Sequence, residues 1–281
     1  MTLPATPITL EALRFFRTPQ GEELLTEAAA LGTDELRASQ ILRTRFPADL
    51  CRAALALVQL RQTAREKFSL ANHMYFDREG LEMASREEIS TYRANRFQDC
   101  QTVADLGCGI GGDLLGLAAR FRVQALDLDR VRLEMARLNL RAAGLDARVG
   151  LLGAPGTVDA GELFDHVVLT EVIEHVPDAE GLLRQVWSHT RRSLWVTFPN
   201  IAYFPHRWRL ALGRFPVQWV VFPGEHLRFW SVPDFREWAV GVGLPLPVTL
   251  PSNGIVFGNL HRIWPNLLAN QVVMRFDRPA A

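Results

Sequence analysis

The chain has 281 residues, 48% hydrophobic and 22% charged, a composition that supports one large core with a smaller accessory unit and excludes disordered or collagen-like chains. Its 31 basic and 31 acidic residues balance to a formal charge of zero, so no global field draws it toward nucleic acid or an anionic membrane. Lys67 is the sole lysine, an arginine bias that codon usage explains at least as well as bidentate phosphate recognition does.

At the start of the chain, Met1 to Thr9 lacks the basic segment and apolar run of an export signal, and no uncharged stretch approaches bilayer-spanning length. The expected location is cytoplasmic, with no membrane partner. Residues before about 100 read as helices only. Thr18-Pro19 opens one and Gly32 closes it; Thr33, Asp34 and Glu35 open the next, which stops at Phe46-Pro47. A longer helix carries Leu50, Ala54, Leu57 and Leu60 along one stripe, and Ser85-Arg86-Glu87-Glu88 reads as a capping box before another. From Thr102 the pattern becomes short apolar runs alternating with helices, as in βα units of a parallel sheet. The spacing predicts strands over Thr102–Leu106, Arg122–Asp127, Arg148–Leu152, Phe164–Thr170 and Ser193–Phe198. Helices are predicted over Gly112–Arg120, Arg130–Ala143 and Asp178–Thr190, and Ser231-Val232-Pro233-Asp234 caps one more that ends near Gly243. Leu246–Leu250 and Gln271–Phe276 supply two last strand candidates. Cys51, Cys100 and Cys108 are odd in number and lack ligand spacing, so they read as reduced thiols rather than a disulfide framework or a zinc site.

The segment Asp105-Leu106-Gly107-Cys108-Gly109-Ile110-Gly111-Gly112 puts a glycine-rich turn between a strand and a helix, where the backbone bends sharply and a ligand can lie against it. Gly107-x-Gly109-x-x-Gly112 also satisfies the dinucleotide fingerprint. Asp105 separates the two readings, because a carboxylate repels a pyrophosphate and attracts an ammonium and sulfonium. The acid-x-Gly-x-Gly-x-Gly pattern of Asp105, Gly107, Gly109 and Gly111 resembles the first motif of the class I S-adenosylmethionine-dependent methyltransferases. That resemblance implies an α/β fold, a doubly wound and mostly parallel seven-stranded Rossmann-like sheet, over residues 99–281, with a helical N-terminal extension over 1–98. It also implies S-adenosyl-L-methionine as cofactor. Asp127 lies about twenty residues on, where a carboxylate can accept ribose hydroxyls, while Asp129 caps the next helix. The expected cofactor contacts are Asp105, Gly107, Cys108, Gly109, Gly111, Asp127, Leu128 and Glu171. The acid that many members of this class carry after the third strand is missing from Leu152-Gly153-Ala154-Pro155-Gly156, leaving Asp159 or a main-chain carbonyl for the adenine.

Ligands of open α/β sheets lie beyond the carboxyl ends of the strands, so the chemistry is expected on the loops after strands four and five. Glu171-Val172-Ile173-Glu174-His175 resembles a segment of small-molecule O-methyltransferases, including the ubiquinone type. His175 is the first candidate base, since a neutral imidazole can take a hydroxyl proton near neutral pH, and Glu174 is the second. The bland alternative is that His175 and Glu171 only hold the loop by hydrogen bonds. With His226, the residues Glu171, Glu174 and His175 also resemble the metal ligands of small-RNA 2′-O-methyltransferases, although the expectation is that no metal is bound. From about 165 to 276 the chain resembles the MetW family, through Thr197-Phe198-Pro199-Asn200, the segment Arg207–Arg214, His226-Leu227 and Trp264–Leu268. Residues from about 20 to 120 resemble a bacterial methyltransferase group with a THUMP-like tail, through Ala64–Phe68, Met74-Tyr75-Phe76 and Tyr92-Arg93-Ala94, but the acid-Pro-Ala-Arg-Arg segment of that group is absent. Aromatics Phe198, Tyr203, Trp208, Trp219, Phe222, Phe229 and Trp230 either wall an apolar substrate or pack a core. The leading expectation is methyl transfer to an oxygen, or a nitrogen, of a small molecule. The alternatives are an RNA base methyltransferase and a MetW-like partner of a biosynthetic acetyltransferase that binds the cofactor without turnover. The sequence sets no oligomeric state.

Overall fold

A computed structural model describes residues 8–31, 35–152, 158–159, 161–216, 226–254 and 259–279. Helices α1 (Leu10–Phe16), α2 (Pro19–Ala30), α3 (Glu35–Leu42), α4 (Ala48–Ala64), α5 (Arg78–Met83) and α6 (Glu87–Ala94) lead into β1 (Thr102–Leu106), α7 (Gly112–Ala118), β2 (Arg122–Asp127), α8 (Arg130–Ala142) and β3 (Arg148–Leu151). There follow β4 (Phe164–Leu169), α9 (Ala179–Ser188), β5 (Thr190–Pro199), α10 (Phe204–Ala211), α11 (Val232–Val242), β6 (Val248–Gly254), α12 (Leu260–Ile263), α13 (Pro265–Leu268) and β7 (Ala269–Asp277). The seven-stranded sheet has the order β3-β2-β1-β4-β5-β7-β6. Strand β7 pairs antiparallel with both β5 and β6, and the pairs β2–β3, β1–β4 and β4–β5 are parallel. The doubly wound α/β expectation therefore holds. Two compact units divide the chain, residues 1–99 with 108–157 and residues 100–107 with 158–281.

In the first unit, local chemistry starts most helices. Thr9, Thr18, Asp77 and Asp129 each accept a main-chain N–H of the first turn, and Pro19 supplies a preset φ where no donor is needed. The apolar faces of α1, α2 and α4 bury Leu13, Phe16, Leu24 and Leu57, and the same cluster takes in Ile110 together with Met135 and Leu138 of α8. Fully buried Asn139 locks this packing: its Oδ1 accepts from Tyr75 N at 2.7 Å, and its Nδ2 donates to the Tyr75 and Ile110 carbonyls at 3.0 and 2.9 Å. Two expectations change here. Helix α1, with its Thr9 cap, was not among the predicted helices. The expected capping box before α6 does not form, because Ser85 Oγ donates to Asp113, Glu87 accepts from Ser69, and Arg86 at the cap gives the helix no side-chain capping bond but donates to the Glu66 carbonyl. Tertiary partners outcompete the local one. The helix break expected at Gly32 to Asp34 lies outside the described residues.

In the second unit, β1 and β4 are buried along nearly their whole length and β5 is mostly buried from Ser193 on, as strands covered on both faces are. At the start of β4, Asp165 ties the sheet together by accepting from the Gln101 and Thr102 amides at 2.8 and 3.0 Å and from Arg191 at 3.0 Å. Strand β6 begins two residues later than expected and runs on through Ser252-Asn253, with register shifts after Pro251. An edge strand tolerates prolines and bulges that a central strand would not.

Candidate functional site

In the second unit, the chain leaves β4 at Leu169 and turns through Glu171 into a single 3-10 turn, Ile173–His175. Glu171 sits at φ 54°, a left-handed conformation that a side chain with a Cβ adopts only when its surroundings impose it. Those surroundings are visible. The Thr197 hydroxyl accepts from Glu171 N and donates to Glu171 Oε1, both at 2.9 Å, and Gln271 Nε2 donates to the same oxygen at 2.8 Å. Glu171 is thus clamped between β5 and β7 rather than pointed freely at a ligand.

The clamp sets the next residues. Glu174 is fully buried, and among the described residues neither carboxylate oxygen accepts a hydrogen bond. Burial pushes its pKa well above the ordinary value, the negative charge of Glu171 pushes the same way, and so does the bond that a protonated Glu174 offers Glu171. The main chain of Glu174 captures a distant segment: its carbonyl accepts from Leu227 N at 2.8 Å. Arg228 extends that anchor by donating to the Pro177 carbonyl at 2.8 Å and to Glu180 at 2.5 Å. His226 is thereby set edge-on to His175, ring centroids 4.8 Å apart. Burial lowers the His226 pKa and the neighbouring His175 lowers it further, so its neutral form is favoured. One ligand atom each of Glu174, His175 and His226 lie within 4.8 Å of one another, a donor set that could take a proton or hold a divalent cation.

The glycine turn divides between the units. In the second unit Asp105 is buried at 2% exposure near the end of β1, and Gly107 follows at φ 77°. A Cβ on Gly107 would stand 2.2 Å from Val172 Cγ2, so the glycine allows the loop carrying Glu171 to close over it. In the first unit, Cys108 N donates to the Leu126 carbonyl at 3.1 Å and Gly109 N donates to Asp127 Oδ2 at 2.8 Å. Asp129 N holds Asp127 Oδ1 at 2.9 Å. The Asp127 carboxylate is therefore fixed with lone pairs left over, as a diol acceptor requires. Gly109 has φ 53°, and a Cβ there would meet nothing within 4 Å. Open space beside a bare backbone and an oriented carboxylate suit an adenosyl ligand. Leu128 is 69% exposed and Gly111 adopts φ 96° at the N-cap of α7.

Among the aromatics, Phe198 is fully buried and stacks on Phe235 at 4.2 Å, and Trp230 packs against both, so these belong to the core. Trp208 and Phe229 are exposed. Trp219, Phe222 and the Gly153 to Gly156 loop lie outside the described residues. His226 as a member of the site beyond a metal reading, and Gln271 as a holder of Glu171, had no local signal in the sequence. The first stands 51 residues from His175 by number and the second 100 from Glu171.

Residues 65–246 match a family described as a methyltransferase domain, so the chain belongs to that family; it is an S-adenosylmethionine-dependent methyltransferase with the class I fold. Residues 9–64 match a second family, described as a domain of unknown function. The chain is similar to the ubiquinone biosynthesis O-methyltransferase of Stutzerimonas stutzeri (strain A1501), 30% identical over 188 residues that make up 63% of this chain and 81% of that protein. The enzyme of the same name from Nitrosomonas europaea is 30% identical over 156 residues, 52% of this chain and 66% of that one. Among solved structures, a methyltransferase-type protein from Porphyromonas gingivalis W83 superposes with a TM-score of 0.52 at 18% identity, over 63% of this chain and 49% of that one, a likeness of fold alone.

Proposed function

We propose that this chain methylates an oxygen of a small-molecule acceptor, acting in the cytoplasm, with Asp105, Gly107, Cys108, Gly109, Gly111, Asp127, Leu128 and Glu171 forming the cofactor side and Glu174 and His175 the acceptor side. The observation that carries this reading is the convergence of a fully buried carboxyl group with two imidazoles on the loop after β4. S-adenosylmethionine, when bound, supplies an activated sulfonium methyl group, so the protein's share is to orient a nucleophile and remove its proton. His175 takes that proton at a ring nitrogen, and the neutral ring of His226, edge-on beside it at 4.8 Å, adds no second positive charge there. The reaction named for the two relatives above supports oxygen as acceptor. The fixed Asp127 carboxylate would hold the ribose hydroxyls, and Glu171, held by Thr197 and Gln271, shapes the loop that closes on Gly107.

Calorimetry with S-adenosylmethionine tests the cofactor side: Asp105→Ala and Asp127→Ala should each weaken binding at least about tenfold, with circular dichroism unchanged. Wild-type affinity in both would remove the assignment. For the acceptor side, His175→Ala should abolish release of S-adenosylhomocysteine from a panel of phenols while binding persists. A MetW-like partner would bind cofactor and release none with any acceptor, and an RNA methyltransferase would show a steep salt dependence of binding.

A second reading rests on the same cluster. The Glu174 carboxyl accepts no hydrogen bond among the described residues, and a divalent cation shared with His175 and His226 would hold it ionised while polarising an acceptor hydroxyl. Turnover that survives exhaustive chelation supports proton removal by the side chains alone; loss restored by added magnesium, manganese or zinc supports the cation.

A further inference from the structure

Residues 1–99 share one compact unit with residues 108–157, so the helical leader belongs with the part of the glycine turn that runs from Cys108 through Gly112. Two routes of bonding join them. The first starts in the segment that matches a domain of unknown function, where Arg61 of α4 donates to the Met74 carbonyl at 2.8 Å and lies over the Tyr75 ring, 5.2 Å from its centroid. The main chain of Tyr75 bonds to buried Asn139, whose Nδ2 also donates to the Ile110 carbonyl inside the turn at 2.9 Å. The second route runs through α6. Ser90, 2% exposed, accepts from Gly116 N and donates to the Asp113 carbonyl, both at 3.0 Å. Arg93 donates to Ser85 Oγ at 2.9 Å, and both side chains donate to Asp113 Oδ2.

Glycine is a poor residue for a helix interior, yet α7 carries Gly116 in its middle. A Cβ there would stand 2.2 Å from Ser90 Oγ, and one on Gly112 would stand 2.9 Å from Ser85 N. The leader therefore lies against bare backbone of α7, the helix that continues the turn. This placement answers a problem that the turn creates. Gly109 and Gly111 hold positive φ, and glycine has more conformational freedom to lose than any other residue. A turn that became ordered only when its ligand arrived would charge that entropy to binding, whereas one already bonded into the fold would not. The leader's contacts fall on Ile110, Gly112, Asp113 and Gly116, and the open space lies at Gly109.

We propose that the helical leader holds the Gly109–Gly112 backbone in its ligand-ready shape, with Arg61 and Ser90 as positioning residues and Asn139 as the relay between Tyr75 and the turn. S-adenosylmethionine affinity then depends on side chains that do not touch the cofactor, and the segment of unknown function has a task in cofactor binding. The inference rests on the reading of the glycine turn as the cofactor side.

Calorimetry of the full chain with S-adenosylmethionine, paired with urea unfolding, tests it. Arg61→Met and Ser90→Ala should each raise the Kd at least about fivefold, while Arg61→Lys, which can still donate to the Met74 carbonyl and lie over Tyr75, should stay within about twofold of the parent. Val186→Ala, in the core of α9 in the second unit, should lower the urea midpoint yet bind with the parent's affinity. Should Arg61→Met fail to fold, Ser90→Ala decides alone. Parent-like affinity in either folded variant overturns the proposal. So does a loss of affinity that tracks the urea midpoint through every variant, Val186→Ala included, because that is what loss of folded protein alone produces. An Arg61→Lys affinity as poor as that of Arg61→Met also overturns it, by assigning Arg61 to packing. Asp127→Ala separates this inference from the reading beneath it. Weakened binding there with parent-like binding in Ser90→Ala removes only the scaffold; the reverse removes only the assignment of Asp127 to the cofactor and leaves the scaffold standing.

Discussion

Glu174 concentrates the conflict between stability and chemistry in one side chain. A fully buried carboxyl group that accepts no hydrogen bond among the described residues, beside the second carboxyl of Glu171, is a poor choice for folding. Glu174→Gln keeps the shape, removes the charge that burial opposes and supplies an amide that can donate to Glu171. We expect urea unfolding to show a gain of about 1 kcal/mol, with S-adenosylhomocysteine release reduced at least about tenfold. A variant that is both less stable and fully active would show that Glu174 is structural. Thr197 carries the opposite expectation, because its hydroxyl both accepts from and donates to Glu171. Thr197→Val leaves the Glu171 amide without its acceptor and should cost about 1 to 3 kcal/mol.

The strands and most of the helices were legible because their signals are local. Thr102–Leu106 and Arg122–Asp127 form strands over the residues that the apolar runs delimit, and Thr18, Asp129 and Ser231 cap the helices that they open in the sequence. Ser85 and Glu87 were misread for the reverse reason: partners in Asp113 and Ser69, invisible to a local pattern, took their side chains. The glycine turn shows the same split. Its motif reads directly, but the work of each glycine is set by what lies opposite. Gly107 and Gly109 both have positive φ, yet a Cβ at the first would strike Val172 at 2.2 Å and at the second would meet nothing within 4 Å. Gly107→Ala should therefore cost well over about 1 kcal/mol, through strain and clash together, and Val172→Ala should recover part of it in a double-mutant cycle. Gly109→Ala should cost only about 1 kcal/mol of strain, while its methyl group occupies the open space and weakens S-adenosylmethionine in calorimetry. Equal stability losses at the two positions would remove this division of roles.

The response of the whole fold to acid follows from two adjacent residues at the start of β4. His166 is buried with Nδ1 against Ser193 Oγ at 2.7 Å, and burial lowers its pKa from 6.5 to about 4, Asp165 opposing the shift in part. Because the folded state holds the neutral ring, this contribution is complete above pH 6.5 and drains away as pH falls toward 4. For Asp165, burial pushes the carboxyl up, but the Gln101 and Thr102 amides, Arg191 and the Thr102 hydroxyl together outweigh it and hold the group at about 2 instead of 3.8. Its contribution is complete above pH 3.8 and is lost as pH falls through about 2. Acid should thus destabilise the protein in two successive windows, the first by up to about 3 kcal/mol and the second by up to about 2 kcal/mol. Urea unfolding across that range reads both. His166→Asn, which can keep a hydrogen bond to Ser193 but cannot titrate, should flatten the first window and leave the second. An unfolding free energy that falls equally in the variant and the parent between pH 6.5 and 4 would show that other groups, rather than this buried imidazole, set the acid limit of the fold.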